Sequence, residues 1–167
     1  MVLIGLGSNR GDSASAVASA MRRLAEYAAG ELRCSGLWRT SPVDCPSGSG
    51  DFINAAVAFR TRAGLSPEEL LGALKALEAE YGRGLTPIRN APRELDLDLL
   101  LFDEQTRDEP GFILPHPRAI DRLFVLAPAA QVAPDAVWPG TGTTIRDLLE
   151  RLHTDEQVEV LDATPVA

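Results

Sequence analysis

The chain has 167 residues, 45% of them hydrophobic and 24% charged, with a formal net charge of −8. That length suits one domain over residues 1–167; the acidic balance argues against general nucleic-acid binding, which needs positive charge against phosphates. Cys34 and Cys45 form no CxxC and no Cys/His cluster, so neither a disulfide framework nor a zinc site is indicated.

The opening MVLIGLGSN is too short in its apolar part, and lacks the basic start, for a signal peptide. No segment approaches the ~20 apolar residues of a membrane span. A cytoplasmic protein, acting as a monomer, is expected.

Val2 to Gly7 is a short apolar run closed by glycine, a first strand. Ser13 to Ala29 carries Val17, Ala20, Met21, Leu24 and Ala28 at helical spacing, and Asp12 or Ser13 can cap its start. Leu32 to Thr40 reads as a second strand. Phe52 to Thr61 reads as a third, with Ile53, Ala55, Val57 and Phe59 alternating, and the turn-rich VDCPSGSGD lies between. Ser66 as N-cap, Pro67 in the first helical position and Glu69 in an S-x-x-E capping box then start a helix. Its stripe is Leu70, Leu74, Leu77 and Tyr81, and Gly82 can end it.

The loop GRGLTPIRNAPRE leads into an apolar strand from Leu95 to Phe102. Ile113 to Pro115 is briefly extended, Arg118 to Ala130 and Thr144 to Leu152 read as helices, and Val158 to Leu161 as a last strand. The order β-α-β-β-α-β with an appended α-rich tail fits an α+β sandwich, with helices on one face of a mainly antiparallel sheet.

Phosphate chemistry is the thread through the remaining motifs. Arginines number fifteen against the single Lys75; Arg83, Arg89 and Arg93 precede the 95–102 strand, and Arg107, Arg118 and Arg122 follow it. A local basic cluster in an acidic chain suggests a confined anionic ligand, although any one arginine is usually a solvated surface group. GLGSNRG is not a dinucleotide fingerprint, because Arg10 stands where G-x-G-x-x-G needs its third glycine. A P-loop is excluded too, since it needs a lysine directly after a glycine-rich turn.

Within NAPRELDLDLLLFD, Asp96 and Asp98 fall two apart in a strand and share a face, about 7 Å from one another, while Leu95, Leu97 and Leu99 point the other way. Two carboxylates there are costly to desolvate without a positive partner or water. They are hard oxygen ligands suited to Mg²⁺, and a pair of ions on them could hold a triphosphate. D-x-D alone is a weak pattern; P-R-x-L-D-x-D-x-L-L after an arginine-bearing loop is far more specific.

With these segments in order, the chain resembles the 6-hydroxymethyl-7,8-dihydropterin pyrophosphokinases of folate biosynthesis. The resemblance rests on LIGLGSNRGD at 3–12, WRTSPV with DFINAAVAFRT within 38–61, APRELDLDLLLFD at 91–103 and LPHPRAIDRLFVLAPAAQVAPD at 114–135. It implies a ferredoxin-like α+β fold and transfer of pyrophosphate from ATP to the pterin hydroxymethyl group, releasing AMP. It further implies that Asp96 and Asp98 bind two Mg²⁺ ions and that Arg83 and Arg93 clamp phosphates. No residue stands out as a general base: Asp98 is one candidate, and metal lowering of the hydroxyl pKa is the alternative. ATP contacts are implied for Lys75, Glu78, Arg83, Arg89, Arg93, Leu99, His116 and Arg122. Asn54 is implied to read the pterin edge, Phe52 and Phe124 to sandwich the ring, and Thr40, Ser41 and Val43 to line the pocket.

Taken singly, Phe52 and Phe124 also read as core aromatics, His116 as a loop residue and Glu78 as an ion-pair partner of Lys75. Asn90-Ala91 stands where some members have Trp-Gly, and Leu85 where some place another arginine; Trp38 and Trp138 lie elsewhere and do not obviously substitute. A palm-like nucleotidyltransferase is a rival two-metal reading, disfavoured by the charge. A noncatalytic pterin- or nucleotide-binding module is a third.

Overall fold

A computed structural model describes residues 1–41, 50–82 and 94–162. Its first elements are β1 (Val2–Ser8) and α1 (Ser13–Leu24). The Asp12 carboxylate accepts from the Ser15 N–H at 3.1 Å and so caps the first turn of α1. The predicted run to Ala29 is shorter than expected: the helix ends at Leu24 and tightens into a 3₁₀ turn over Ala25–Tyr27.

The predicted second strand divides into β2 (Arg33–Cys34) and β3 (Leu37–Thr40). Ser35 causes the break. It is fully buried, and its Oγ accepts the Ala56 N–H at 2.9 Å, replacing a backbone rung with a side-chain one. Next come β4 (Phe52–Phe59) and α2 (Pro67–Glu80). Both bonds of the predicted capping box are made: Ser66 Oγ accepts the Glu69 N–H at 3.2 Å, and Glu69 Oε2 accepts the Ser66 N–H at 2.8 Å. Gly82 follows at φ 76°, a left-handed conformation that suits glycine after a helix end.

After β5 (Asp96–Phe102) come β6 (Arg107–Glu109) and β7 (Phe112–Leu114), which form a two-stranded ribbon. The predicted 118–130 helix begins later, as α3 (Leu123–Val132), after a 3₁₀ turn over Ala119–Asp121. A second ribbon of β8 (Val137–Trp138) and β9 (Thr143–Thr144) leads to α4 (Ile145–Arg151) and β10 (Val158–Asp162).

The main sheet runs β10-β3-β4-β1-β5, with β2 also on β4, and each of its recorded pairings is antiparallel. The mainly antiparallel, mixed α/β architecture expected from the sequence is therefore present. Its helices are not confined to one face, however. Val2, Ile4, Leu6, Ala55, Val57, Phe59, Leu97 and Leu99 pack with Met21 and Leu24 of α1 and Leu70, Leu74 and Leu77 of α2. Leu3, Ala56, Ala58, Leu100 and Leu101 point the other way and pack with Leu126, Ala129 and Val132 of α3, Ile145 of α4 and Trp138. The central strands are apolar on both sides, so burying one side alone would leave the second hydrophobic face in water. Among the described residues no helix is long and apolar enough to cross a membrane.

Candidate active site

The α3 side of the sheet changes character along its strands. At one end Leu3, Ala56, Ala58, Leu100 and Leu101 lie in the apolar core. Toward the other end the same alternation places Gly5 and Gly7 on β1, Asn54 and Phe52 on β4, Trp38 and Thr40 on β3, and Asp96 and Asp98 on β5. The registers align them: Asp96 lies opposite Gly7, Gly7 opposite Asn54, and Asn54 opposite Trp38, while Asp98 lies opposite Gly5. One row of the sheet thus reads Asp96, Gly7, Asn54, Trp38. Both aspartates are partly exposed, and Leu97 and Leu99 point into the opposite core, as the alternation predicts.

Gly7 is the open place in that row. A Cβ there would stand 3.2 Å from Asn54 Oδ1, a tight approach. Asn54 is itself 5% exposed, and its Nδ2 donates to Thr40 Oγ1 at 2.8 Å. This bond fixes the amide, with its oxygen turned toward the glycine. Phe52 lies opposite Thr40 and is partly buried. Phe124 is partly buried in the first turn of α3, the helix packed on this side, while Ser41 is exposed just past β3.

β5 is an edge strand, and its outer side is covered by polar partners. Glu78 of α2 is wholly buried; its Oε1 accepts the Leu97 N–H at 2.8 Å, and its Oε2 lies 3.2 Å from Lys75 Nζ. The carboxylate thus grips the backbone of the residue between the two aspartates. Farther along, the His116 N–H donates to the Leu100 carbonyl at 2.9 Å, and His116 Nδ1 accepts the Arg118 N–H at 3.4 Å. Leu99 was expected to touch ATP, but its side chain is 4% exposed in the core under α1 and α2, so only its backbone could serve.

Arg122 stands at the start of α3, and its Nη1 is 3.5 Å from Oε1 of Glu156. The other Glu156 oxygen accepts the Leu123 N–H at 2.7 Å. Sequence reasoning gave Glu156 no role; a contact across 33 residues leaves no local signal. Gln131 was missed likewise: its Oε1 accepts from the Gly36 N–H at 3.0 Å and from Trp38 Nε1 at 3.3 Å. Trp38 itself, set aside from the site by the sequence, lies directly across from Asn54. Val43, Arg83, Arg89 and Arg93 fall outside the described residues, in the stretches 42–49 and 83–93. Those stretches join the described chain next to the polar end of the sheet: Ser41 follows the strand bearing Thr40, and Glu94 precedes Asp96.

The donors suit a hard divalent ion. Asp96 and Asp98 offer carboxylate oxygens from one strand face, and the facing glycines place no side chain over them. Among the described residues no cluster of three or more His, Cys, Asp or Glu could enclose a metal by itself. Two carboxylates together with phosphate oxygens and water are what Mg²⁺ commonly takes.

The chain is similar to known proteins at two levels. In fold, the chain matches crystal structures of Plasmodium falciparum HPPK-DHPS. One match has a TM-score of 0.69 at 16% identity, covering 90% of this chain and 45% of that one; a wild-type form with pteroate gives 0.67 at 15%. The chain thus spans less than half of those proteins. In sequence, the model of the 7,8-dihydro-6-hydroxymethylpterin-pyrophosphokinase (HPPK) family matches residues 3–134. The 2-amino-4-hydroxy-6-hydroxymethyldihydropteridine pyrophosphokinase of a Synechocystis strain is 37% identical over 166 residues, 99% of this chain and 80% of that protein. The Bacillus subtilis protein of the same name is 39% identical over 130 residues, 77% of this chain and 75% of that one. The chain belongs to the HPPK family.

Proposed function

We propose that the chain transfers pyrophosphate from ATP to the hydroxymethyl group of 6-hydroxymethyl-7,8-dihydropterin, giving AMP and the pterin pyrophosphate in folate biosynthesis, with Asp96 and Asp98 holding two Mg²⁺ ions. The row Asp96, Gly7, Asn54 carries the reading. It sets a carboxylate and a fixed amide on one sheet face, separated by a residue without a side chain, an arrangement that supports a metal at one end and a ligand edge at the other.

The pterin edge meets Asn54, whose amide is oriented by Thr40, and the ring lies between Phe52 and Phe124, with Ser41 and Val43 beside it. A flat polar heterocycle is well held between aromatic faces with an amide at its edge. His116, Arg122 and Lys75 hold the nucleotide, together with Arg83, Arg89 and Arg93 and the backbone of Leu99. Arginine forks match phosphate oxygens in pairs. Glu78 acts through the strand by holding Leu97 between the two ligands. When bound, Mg²⁺ supplies charge neutralisation for the triphosphate. The protein's own part is alignment of the pterin hydroxyl with the β-phosphorus and exclusion of water.

We also read the order β3-β4-β1-β5, with α1 and α2 on one face, as a ferredoxin-like β-α-β-β-α-β core to which the residues after β5 add an extension. The pairing of β10 back onto β3 supports taking 1–167 as one domain. We expect it to act as a cytoplasmic monomer. The test is to mix the protein with Mg-ATP and the hydroxymethyl dihydropterin and measure AMP. AMP formed only when the pterin is present is expected; tight pterin binding with no AMP overturns the enzymatic reading in favour of a binding module.

A further inference from the structure

We infer that Glu156 is a positioning residue for the reaction, setting Arg122 and the first turn of α3 against the ligand-bearing face. The inference rests on the pyrophosphokinase reading above. Glu156 lies beyond residues 3–134, the part matched by the family model, and its role rests on three local observations.

Its side chain is only 10% exposed, so the carboxylate is held among protein groups. Its two oxygens have separate tasks: Oε2 accepts the Leu123 N–H at 2.7 Å, and Oε1 faces Arg122 Nη1 at 3.5 Å. The first caps the start of α3, where Arg122 occupies the N-cap position without a side-chain cap bond of its own. The second aligns a guanidinium whose five N–H donors allow one nitrogen to be held while others face a phosphate.

Glu156 is in turn placed by its surroundings. Its N–H donates to Thr154 Oγ1 at 3.2 Å, and two residues later Val158 pairs with Thr40, the acceptor of the Asn54 amide. One short segment therefore connects the strand bearing Thr40 with the helix start bearing Arg122 and Phe124. Losing the carboxylate removes one anchor of the guanidinium and uncaps the turn that carries the aromatic. The weakness should appear in ligand binding more than in the rate at saturation.

The experiment compares wild type, E156A, E156Q, R122A and E156A/R122A in steady-state AMP formation, with melting temperature as a control for folding. E156A is expected to raise the KM for ATP about tenfold, as for loss of one charge-assisted contact, with kcat within about threefold. E156Q retains an oxygen for the Leu123 N–H, so it should recover most of the lost melting temperature but not the KM. In the R122A background, adding E156A should change the KM for ATP by less than about twofold. An unchanged KM in folded E156A, a lowered KM, or an effect of full size in the R122A background each overturns the inference while wild-type turnover leaves the pyrophosphokinase reading intact. Wild type that makes no AMP overturns both.

Discussion

The two faces of the sheet use the same strands for opposite ends. Under α1 and α2, Ile4, Leu6, Val57, Leu97 and Leu99 meet Met21, Leu24, Leu70 and Leu74, each at 4% exposure or less. On the other face α3 and α4 cover one end, and the rest holds Asp96, Asp98, Asn54 and two glycines. The closed face supplies burial, about 1.5–3 kcal/mol for each large apolar side chain. The open end gives up that burial and places polar groups at fixed spacings. Stability and the proposed chemistry thus fall on alternate residues of one strand, most plainly on β5. A substitution should damage one or the other according to the parity of its position.

The largest effect should come from the open end. Asp96→Asn or Asp98→Asn is expected to lower Mg²⁺-dependent AMP formation by about three orders of magnitude, as for loss of preorganised charge at a phosphoryl-transfer site. The melting temperature should stay close to wild type; full activity in both variants would end the metal assignment.

The mirror experiment is on the closed face. Leu74→Ala should cost about 2–5 kcal/mol in urea unfolding, through lost burial and the cavity left behind. The fraction that remains folded should keep its kcat. A collapse of kcat with unchanged stability would erase the division between the faces.

Gly7→Ala tests the row itself. The new methyl would meet Asn54 Oδ1 at 3.2 Å, so the KM for the pterin should rise about tenfold, which is ~1.4 kcal/mol, with little change in thermal stability. An unchanged KM would mean that the amide oxygen does not read the substrate.

The smallest effect concerns the capping box of α2. Bonds from the Ser66 backbone and then the Ser66 side chain hold the Glu69 carboxyl below its ordinary value of 4.5. A lowered folded-state value means that the ionised form stabilises the fold above the unfolded pKa and that this contribution disappears as pH falls through the folded one. Wild type should therefore melt slightly above E69Q at pH 7, and the gap should shrink as pH falls below the ordinary carboxyl value of 4.5 and vanish once the folded-state carboxyl is protonated. A gap that persists in acid would assign the effect to shape rather than charge.

Local signals were legible in the sequence and distant pairings were not. The S-P-E-E start of α2 and the glycine after its end are written in consecutive residues, and both occur as read. The alternation in β5 put the aspartates and the leucines on their correct sides as far as Leu99. There the register against β1 shifts, and Leu100 and Leu101 both join the second core, which no periodicity of two predicts. The break at Ser35 and the late start of α3 likewise depend on partners far along the chain, Ala56 and Glu156. For the site, the spacing of Asp96 and Asp98 was legible in the residues themselves, while Asn54 and Arg122 were candidates only through the family resemblance. What the sequence could not give was who faces whom: that Gly7 separates Asp96 from Asn54, that Trp38 stands across from Asn54, and that Glu78 is turned inward onto Leu97.

Position 7 contributes only a hydrogen between an acid on one neighbouring strand and an amide on the other. The span from Asp96 to Asn54 is therefore two backbone repeats across the sheet, about 10 Å. A gauge built from main-chain rungs keeps its length when surface side chains drift. Two small molecules lodged at its ends would meet at a separation dictated by β geometry, so relatives could vary widely around the rim while the reach between donor and acceptor stayed constant.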